Sequence, residues 1–391
     1  MNKPPLRLML CTSSMEGGGS EKQLLHLLQK LDRSRFSLSL YMFYASGSLL
    51  SEVPDDVPIT AYWSDHQPPR WNWPGRIHRH QIRHLANTLT EQKIDVVYDR
   101  LFHMTMVTGP ATKRARVRRV STIVSPPEFD VVRSEKRWLR WKKESLRRSY
   151  QNADALLAVG SGTADSASAF YGVPRDRFQV ASSPVDVARI DHDGSLAWEG
   201  IPLRSDRKQI VAIGRLSDEK GHRFLIQAVA QYQREALLDF APPVDLHLVG
   251  DGVLRRELQS LAESLGLGDS VFFHGHLSNP FPLLKRCDLM VLPSFYEGMP
   301  NVLLEAMLCR VPILATNTEQ GAGELLRKHP LGSLVAKGNT TEMANAIRHR
   351  FQHPSEWLER LDTARAYVID NHSMEKWISQ MSSVFENVCG L

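Results

Sequence analysis

The chain has 391 residues, 42% hydrophobic and 23% charged, a balance ordinary for globular proteins and more chain than one hydrophobic core usually organises. Its 48 Lys and Arg against 43 Asp and Glu leave a formal charge of +5, a mild basic bias that suits an anionic substrate or membrane face. The scattered Cys11, Cys287, Cys309 and Cys389 exclude a disulfide framework and a zinc spacing, and they point to a reducing, cytoplasmic setting.

In chain order, "LRLMLCTS" reads as a buried strand rather than a signal peptide, because it carries Arg7 and lacks a small-residue cleavage site after a long apolar core. The glycine turn "EGGGS" then opens the helical pattern "EKQLLHLLQKL". "SLSLYMFYA", "DVVYDRLF" and "RVSTIVS" follow as strands, and "ALLAVGS" precedes the helix "TADSASAFYG". In the second half "QIVAIGRL" precedes "RFLIQAVAQY", and "DLHLVGDG" precedes "LRRELQSLAESLG". "LMVLPSF" then precedes "NVLLEAMLC", and "VPILATN" precedes "GELLRKH". Strands alternating with longer helices predict an α/β protein with parallel sheets. Periodicity lapses in "ASSPVDVARIDHDGSLAWEGIPLRSDRK", where Pro, Gly and Asp cluster. The expected organisation is therefore a first domain over 1–185, a hinge over 186–205, a second domain over 206–370, and a C-terminal helix over 371–391 that returns to the first. No apolar run reaches the roughly 18 residues of a membrane span.

Two segments carry the chemistry. In "SFYEGMPNVLLEAMLCRVPILAT", Ser294 to Thr316, Pro300 suits the first turn of a helix. Gly298 and the amides around it would then face outward from the helix's positive end, a place for an anion or sugar hydroxyls. Glu305, more than one turn in, can accept both hydroxyls of a ribose, and Glu297 can accept hydroxyls further along the same ligand. A capped amphipathic helix with solvated acids fits the spacing equally well. The second segment, "GRLSDEKG", Gly214 to Gly221, follows the apolar run "QIVAI". It therefore sits at the C-terminal end of a strand, where open α/β sheets bind ligands. Arg215 offers a fork and Lys220 a point charge, a pair able to neutralise a diphosphate; a solvated charged turn is the alternative. The glycines after the first strand permit close backbone approach, but the dinucleotide and P-loop fingerprints are absent.

Taken in order, "GGGSEKQLLHLL", "ADALLAVGSGTADSASAFYGVP", "SSPVD", "AIGRLSDEKG", "LVGDG", "FHGHL" and "SFYEGMPNVLLEAMLCRVPILAT" resemble the retaining glycosyltransferases of family 4, the glycosyl transferases group 1. The resemblance spans nearly the whole chain and implies the GT-B fold, two facing Rossmann-like domains with a cleft between them. It implies that Glu305 binds the nucleotide ribose and that Glu297 contacts the donor sugar near its 3- and 4-hydroxyls. The backbone from Gly298, Met299, Pro300 and Asn301 to Val302 would hold the sugar and distal phosphate, with Gly214, Arg215 and Lys220 on the diphosphate. Gly18 and Gly19 would form an acceptor or phosphate loop. Where family members often end a strand in histidine, this chain has Val124 and then Ser125; His103, in "DRLFHMTMV", is the family-like alternative, and a half-buried polar histidine explains it as well. The loop "NTEQGAGELL" keeps Gly321, Gly323 and Glu324 in a blurred form of the family pattern.

The implied activity is transfer of a sugar from a nucleotide diphosphate sugar, uridine favoured over guanosine, to an acceptor hydroxyl in polysaccharide, glycolipid or glycoconjugate synthesis. Retention of configuration, no cofactor and no metal are expected; the alternative is a non-catalytic nucleotide-sugar or lipid-headgroup binder. "DHD", Asp191 to Asp193, reads as a solvated turn in the hinge rather than a metal site, and no H-E-x-x-H is present. The Arg-rich stretches lack any nucleic-acid-binding signature. One of them, "RSEKRWLRWKKESLRRSY", Arg133 to Tyr150, would place Trp138 and Trp141 on one helix face among cations. That pattern suits an anionic bilayer and a polyprenyl-linked acceptor, with the protein peripheral on the inner face of the cell membrane; tryptophans packed into the core are the alternative.

Overall fold

The computed structural model describes residues 4–67, 71, 73–134, 138–239 and 241–391. The chain divides into two compact units, one of Met1–Ser183 with Glu375–Leu391, the other of Pro184–Met374.

The first unit runs β1 (Leu6–Thr12), α1 (Gly19–Lys30), β2 (Phe36–Met42), β3 (Ile59–Ala61), α2 (Tyr62–Asp65), α3 (Arg76–Glu91) and β4 (Val96–Arg100). It continues through α4 (Phe102–Ala115), β5 (Arg118–Ile123), α5 (Pro127–Ser134), α6 (Leu139–Gln151), β6 (Ala155–Ala158), α7 (Ser161–Tyr171) and β7 (Phe178–Val180). The second holds α8 (Val187–Ser195), β8 (Lys208–Ile213), α9 (His222–Asp239), β9 (Val244–Val249), α10 (Arg255–Ser264), β10 (Val271–Gly275), α11 (Phe281–Leu284) and β11 (Leu289–Leu292). Then come α12 (Asn301–Leu308), β12 (Ile313–Thr316), α13 (Ala322–Lys328), β13 (Ser333–Val335), α14 (Thr340–Gln352) and α15 (Ser355–His372). The last helix, α16 (Met374–Asn387), lies largely in the first unit, where Phe385 meets Phe36 and Tyr98 edge-on.

Both sheets are parallel, seven strands in the order β3-β2-β1-β4-β5-β6-β7 and six in the order β10-β9-β8-β11-β12-β13. Strands covered on both faces need apolar residues at every position, and β9, β11 and β12 are buried throughout. Successive side chains then split between two cores. Val211, Met290, Leu292, Ile313 and Ala315 enter one cluster, while Ile210, Ala212, Leu289, Val291 and Leu314 enter the other.

The stretch expected as a hinge begins with a helix. Asp186 caps α8 by accepting from the Arg189 amide at 3.1 Å, and Ile190 enters the second unit's core. "DHD" is therefore helical and not a solvated turn. Asp191 takes both ends of the Arg365 guanidinium, at 3.0 and 2.6 Å, which lowers its carboxyl below the usual range.

Candidate functional site

In the second unit the strand order reverses between the neighbours β8 and β11, and the crevice at such a reversal is where open sheets take ligands. The loops leaving the C-terminal ends of these strands carry the two motifs. After β8 the chain passes Gly214 and Arg215 and makes a short 3₁₀ turn, Asp218–Lys220, ended by Gly221 at φ +67°. After β11 it passes Ser294 and reaches Glu297. Lys220 Nζ donates to Glu297 Oε1 at 2.5 Å, and Ser294 Oγ donates to the same oxygen at 2.8 Å. The two charged side chains are 25% and 13% exposed, so water screens them less than a surface pair.

Backbone contacts fix this meeting. The Phe295 amide donates to the Glu219 carbonyl at 2.8 Å, and the Phe295 ring packs edge-on against Phe224. A Cβ on Gly221 would lie 2.1 Å from the Pro293 carbonyl oxygen, and one on Gly250 would lie 2.1 Å from that of Gly214. Glycine is required at both places by close approach as well as by positive φ. Gly321, at φ +61°, presses on Glu297 in the same way, 2.9 Å from where its Cβ would meet the Glu297 Cβ.

Pro300 stands one position earlier than expected. It is the N-cap residue, extended at φ −78° and ψ 100°, and α12 starts at Asn301. The reason is local, since ψ 100° lies outside the helical range and Leu303 closes the first turn back onto the Pro300 carbonyl. Gly298 is buried beside the half-buried Met299, and Val302 packs against the core. Asn301 Oδ1 is buried without a partner, an acceptor left open at the start of this helix. Glu305 is half-buried one turn further in. Arg215 is exposed, and its side chain has no hydrogen bond or ion pair among the described residues. His222, which opens α9 after Gly221, is 3% exposed; burial, and then the Lys220 charge, push its pKa down to about 4. Glu324 sits apart in the first turn of α13, paired with Lys328 at 3.2 Å.

Chemically, the crevice at β8 and β11 joins a cation and a carboxylate in fixed geometry, with a second cation, Arg215, uncommitted. Such a set can hold sugar hydroxyls on the acid and a diphosphate on the cations. Sequence reasoning missed Ser294, three residues before Glu297, and His222; both are polar side chains of a kind common in loops, with no spacing to mark them.

The first unit holds Gly18, Gly19 and His103. Gly18 is the N-cap of α1 with no side-chain cap, Gly19 is the first helical residue, and Gly17 before them has φ +102°. His103 lies exposed in the first turn of α4, its ring 3.9 Å from that of Phe102. It lines a cavity of about 500 Å³ with Phe43, His78, Met106, Trp138 and Trp141. Val124 follows β5, and the Ser125 hydroxyl beside it donates to Asp130 at 2.7 Å.

The basic stretch departs from the expected helix in two ways. Trp138 has φ +62° and precedes α6, so only Trp141 is helical; both are exposed, at 71% and 54%, and neither is core. Tyr150 is 2% exposed and packs on Tyr171, because it faces the sheet side of α6. Arg147 and Arg148 both bond Glu144, whose carboxyl is held down at about 2 by them. Glu135, Lys136 and Arg137 lie outside the described residues.

Comparison with known proteins fits this arrangement. Residues 17–189 match the glycosyltransferase family 4 profile, and residues 207–353 match that of the glycosyl transferases group 1. A Campylobacter jejuni relative, GalNAc-alpha-(1->4)-GalNAc-alpha-(1->3)-diNAcBac-PP-undecaprenol alpha-1,4-N-acetyl-D-galactosaminyltransferase, is 24% identical over 97% of this chain and 99% of its own. A second from the same organism, N-acetylgalactosamine-N,N'-diacetylbacillosaminyl-diphospho-undecaprenol 4-alpha-N-acetylgalactosaminyltransferase, is 28% identical over 51% of this chain, and the match spans about half (51%) of its length. The crystal structure of Anabaena Alr3699/HepE in complex with UDP superposes with a TM-score of 0.76 at 21% identity, covering 98% of this chain and all (100%) of that one. With one family profile on each unit and whole-chain neighbours of the same architecture, the chain belongs to glycosyltransferase family 4 and has the GT-B fold.

Proposed function

We propose that the protein transfers a sugar from a uridine diphosphate sugar to the hydroxyl of a lipid-linked acceptor, with retained configuration and without a metal ion. The observation that carries this reading is the bond between Lys220 and Glu297 at the β8–β11 crevice. It presents a carboxylate and a cation together, with Arg215 uncommitted beside them. Glu297 would hold the sugar's hydroxyls and Glu305 those of the ribose, while the open Asn301 acceptor and the amides from Gly298 to Val302 line the ligand between. As the glycosidic bond breaks, negative charge develops on the diphosphate; Arg215, Lys220 and these amides stabilise it in place. The leaving phosphate itself can take the acceptor's proton, so no second carboxylate is needed. Uridine is supported by the UDP complex of the Anabaena neighbour, and a polyprenyl diphosphate acceptor by the names of the two Campylobacter relatives.

The exposed Trp138 and Trp141 support a peripheral position on an anionic membrane face, which we place at the inner side of the cell membrane. No helix among the described residues is long and apolar enough to cross a membrane. The test is a calorimetric and turnover panel of nucleotide-sugars with excess chelator, run on wild type and Glu305→Ala. Loss of hydrogen bonds to the charged acceptor should weaken donor binding roughly ten- to a hundredfold. Unchanged donor affinity in a folded Glu305→Ala protein removes the ribose assignment. Binding without any turnover favours a non-catalytic binder, and turnover that chelator abolishes and a divalent ion restores removes metal independence.

A further inference from the structure

The first unit has its own reversal of strand order, between β1 and β4, and a cation is buried there that the reading above does not use. Arg100, the last residue of β4, is 3% exposed. Its guanidinium makes one hydrogen bond, from Nη1 to the Tyr98 hydroxyl at 2.9 Å, and Tyr98 is in turn bonded to Thr122 at 2.9 Å. Nε is buried without a partner, and no carboxylate pairs with Arg100 among the described residues. The neighbouring strand holds a buried arginine that does have its anion, although its Nε also lacks a partner. Arg119, 1% exposed, meets Asp99 at 3.2 Å and Ser121 Oγ at 2.6 Å, and also the Ser149 carbonyl. A guanidinium offers five donors, and burying its charge with neither an anion nor a full set of acceptors is strongly unfavourable.

The next residue is anomalous too. Leu101 has φ +69° and ψ 136°, a backbone that side-chain-bearing residues avoid, between the end of β4 and the start of α4. Strain of this kind persists where the surroundings enforce it and concentrates at ligand sites. Strand alternation sets the direction of Arg100. Asp99 faces α4, accepting from Thr105 and Thr108, so Tyr98 and Arg100 face the opposite side, where Phe385 packs on Tyr98. The step from β1 to β2 and the step from β4 to β5 run in opposite directions along the sheet, so right-handed crossovers put α1 and α4 on opposite faces. Arg100 therefore shares its face with α1, whose amino end, at Gly18, has no side-chain cap.

We propose that Arg100, with the amides opening α1, binds a phosphate or diphosphate carried by the acceptor. A fork of guanidinium donors and a set of helix N-terminal amides together suit a tetrahedral anion with several oxygens. The assignment rests on the transferase reading only in giving that anion to the acceptor; the donor's diphosphate has its own cations, Arg215 and Lys220, in the other unit.

The test titrates the full chain, already saturated with UDP so that the donor site is filled, with inorganic pyrophosphate and with farnesyl diphosphate. Arg100→Met should weaken both probes roughly ten- to a hundredfold, leave UDP affinity unchanged, and raise the melting temperature of the unliganded protein because an unpaired buried charge is gone. Arg100→Lys, which keeps the charge and loses the fork, should fall between and carries the measurement if Arg100→Met does not fold. Wild-type binding of pyrophosphate but not farnesyl diphosphate, lost in the variants, supports the anion site while removing the lipid from the acceptor. Equal affinity of variant and wild type, no pyrophosphate binding by wild type, or an equal loss of UDP binding each overturns the proposal, the last by assigning Arg100 to the donor.

Discussion

Gly221→Ala tests whether the two loops at the β8–β11 crevice must touch for the site to exist. Gly221 has φ +67°, and an added Cβ would lie 2.1 Å from the Pro293 carbonyl oxygen. Gly266 has φ +76° and nothing within 4 Å of such a Cβ, so it carries the backbone penalty without the collision. Gly266→Ala should therefore cost about 1–2 kcal/mol, the left-handed strain alone. Gly221→Ala adds overpacking of about 1–3 kcal/mol, for about 2–5 kcal/mol in all. Relief of the collision means moving the turn off β11 by roughly 1 Å, and hydrogen bonds weaken steeply beyond about 3.2 Å. The Lys220–Glu297 bond at 2.5 Å cannot absorb such a shift. Urea unfolding gives the two stability losses, and initial rates of sugar transfer give activity at a temperature where both variants are folded. Expected are near-normal rates for Gly266→Ala and a loss of tenfold or more for Gly221→Ala. Equal stability loss in the two variants, or full turnover in Gly221→Ala, refutes the reasoning.

The buried His222 and the exposed Trp138 and Trp141 each carry a measurable consequence. His222 has a folded pKa near 4 against 6.5 when unfolded, so the stability it contributes is complete above pH 6.5 and is lost as pH falls toward 4. At pH 5 the loss is about 2 kcal/mol, and His222→Gln should flatten the fall in unfolding free energy between pH 7 and 5 by that amount, with His247, also pushed down to about 4 by burial, supplying a comparable remainder; an unaltered pH slope counts against a buried neutral His222. Trp138→Ala combined with Trp141→Ala should abolish co-sedimentation with anionic liposomes at low salt while leaving donor affinity intact, and equal binding of variant and wild type removes these tryptophans from any membrane contact.

The parts of the fold legible in the sequence are those that tertiary structure buries on both sides. Nine strands announced themselves as apolar runs, among them β1, β4, β8 and β11, which occupy the centres of the two sheets. The four others among the described residues, β3, β7, β10 and β13, are the edges of the two sheets. An edge strand has one neighbour and thinner cover, so its sequence need not be apolar: β7 is buried only at Phe178, and β13 only at Val335. Helix α3 escaped notice for a related reason. Its sequence RIHRHQIRHLANTLTE is mostly polar, and the buried residues come only in its last turns, at Leu85, Ala86, Thr88 and Leu89. The lapse in periodicity at 186–205 proved a poor sign of irregular chain, because α8 buries only Ile190 and Gly194 and so carries little apolar signal of its own.

Site residues divide along a similar line. Gly221 and Gly321 fall in motifs because the close approach of backbones leaves no choice of residue, and what sterics forbid is visible as glycine at fixed offsets from Lys220 and Glu297. Arg100 has no such mark. In "DVVYDRLF" it follows a run of buried strand residues, and a charge at that point reads as the place where the strand emerges into water. Only the folded structure shows that the strand does not emerge, that Asp99 next to it is spent on Arg119 and on two threonines of α4, and that Arg100 is buried with no carboxylate beside it among the described residues. A single sequence can show which residue types stand at the ends of strands. It cannot show which of them lack a partner, because that depends on side chains distant in the chain, and an unmet charge at the C-terminal edge of a parallel sheet is among the strongest physical pointers to a ligand that a protein without one can give.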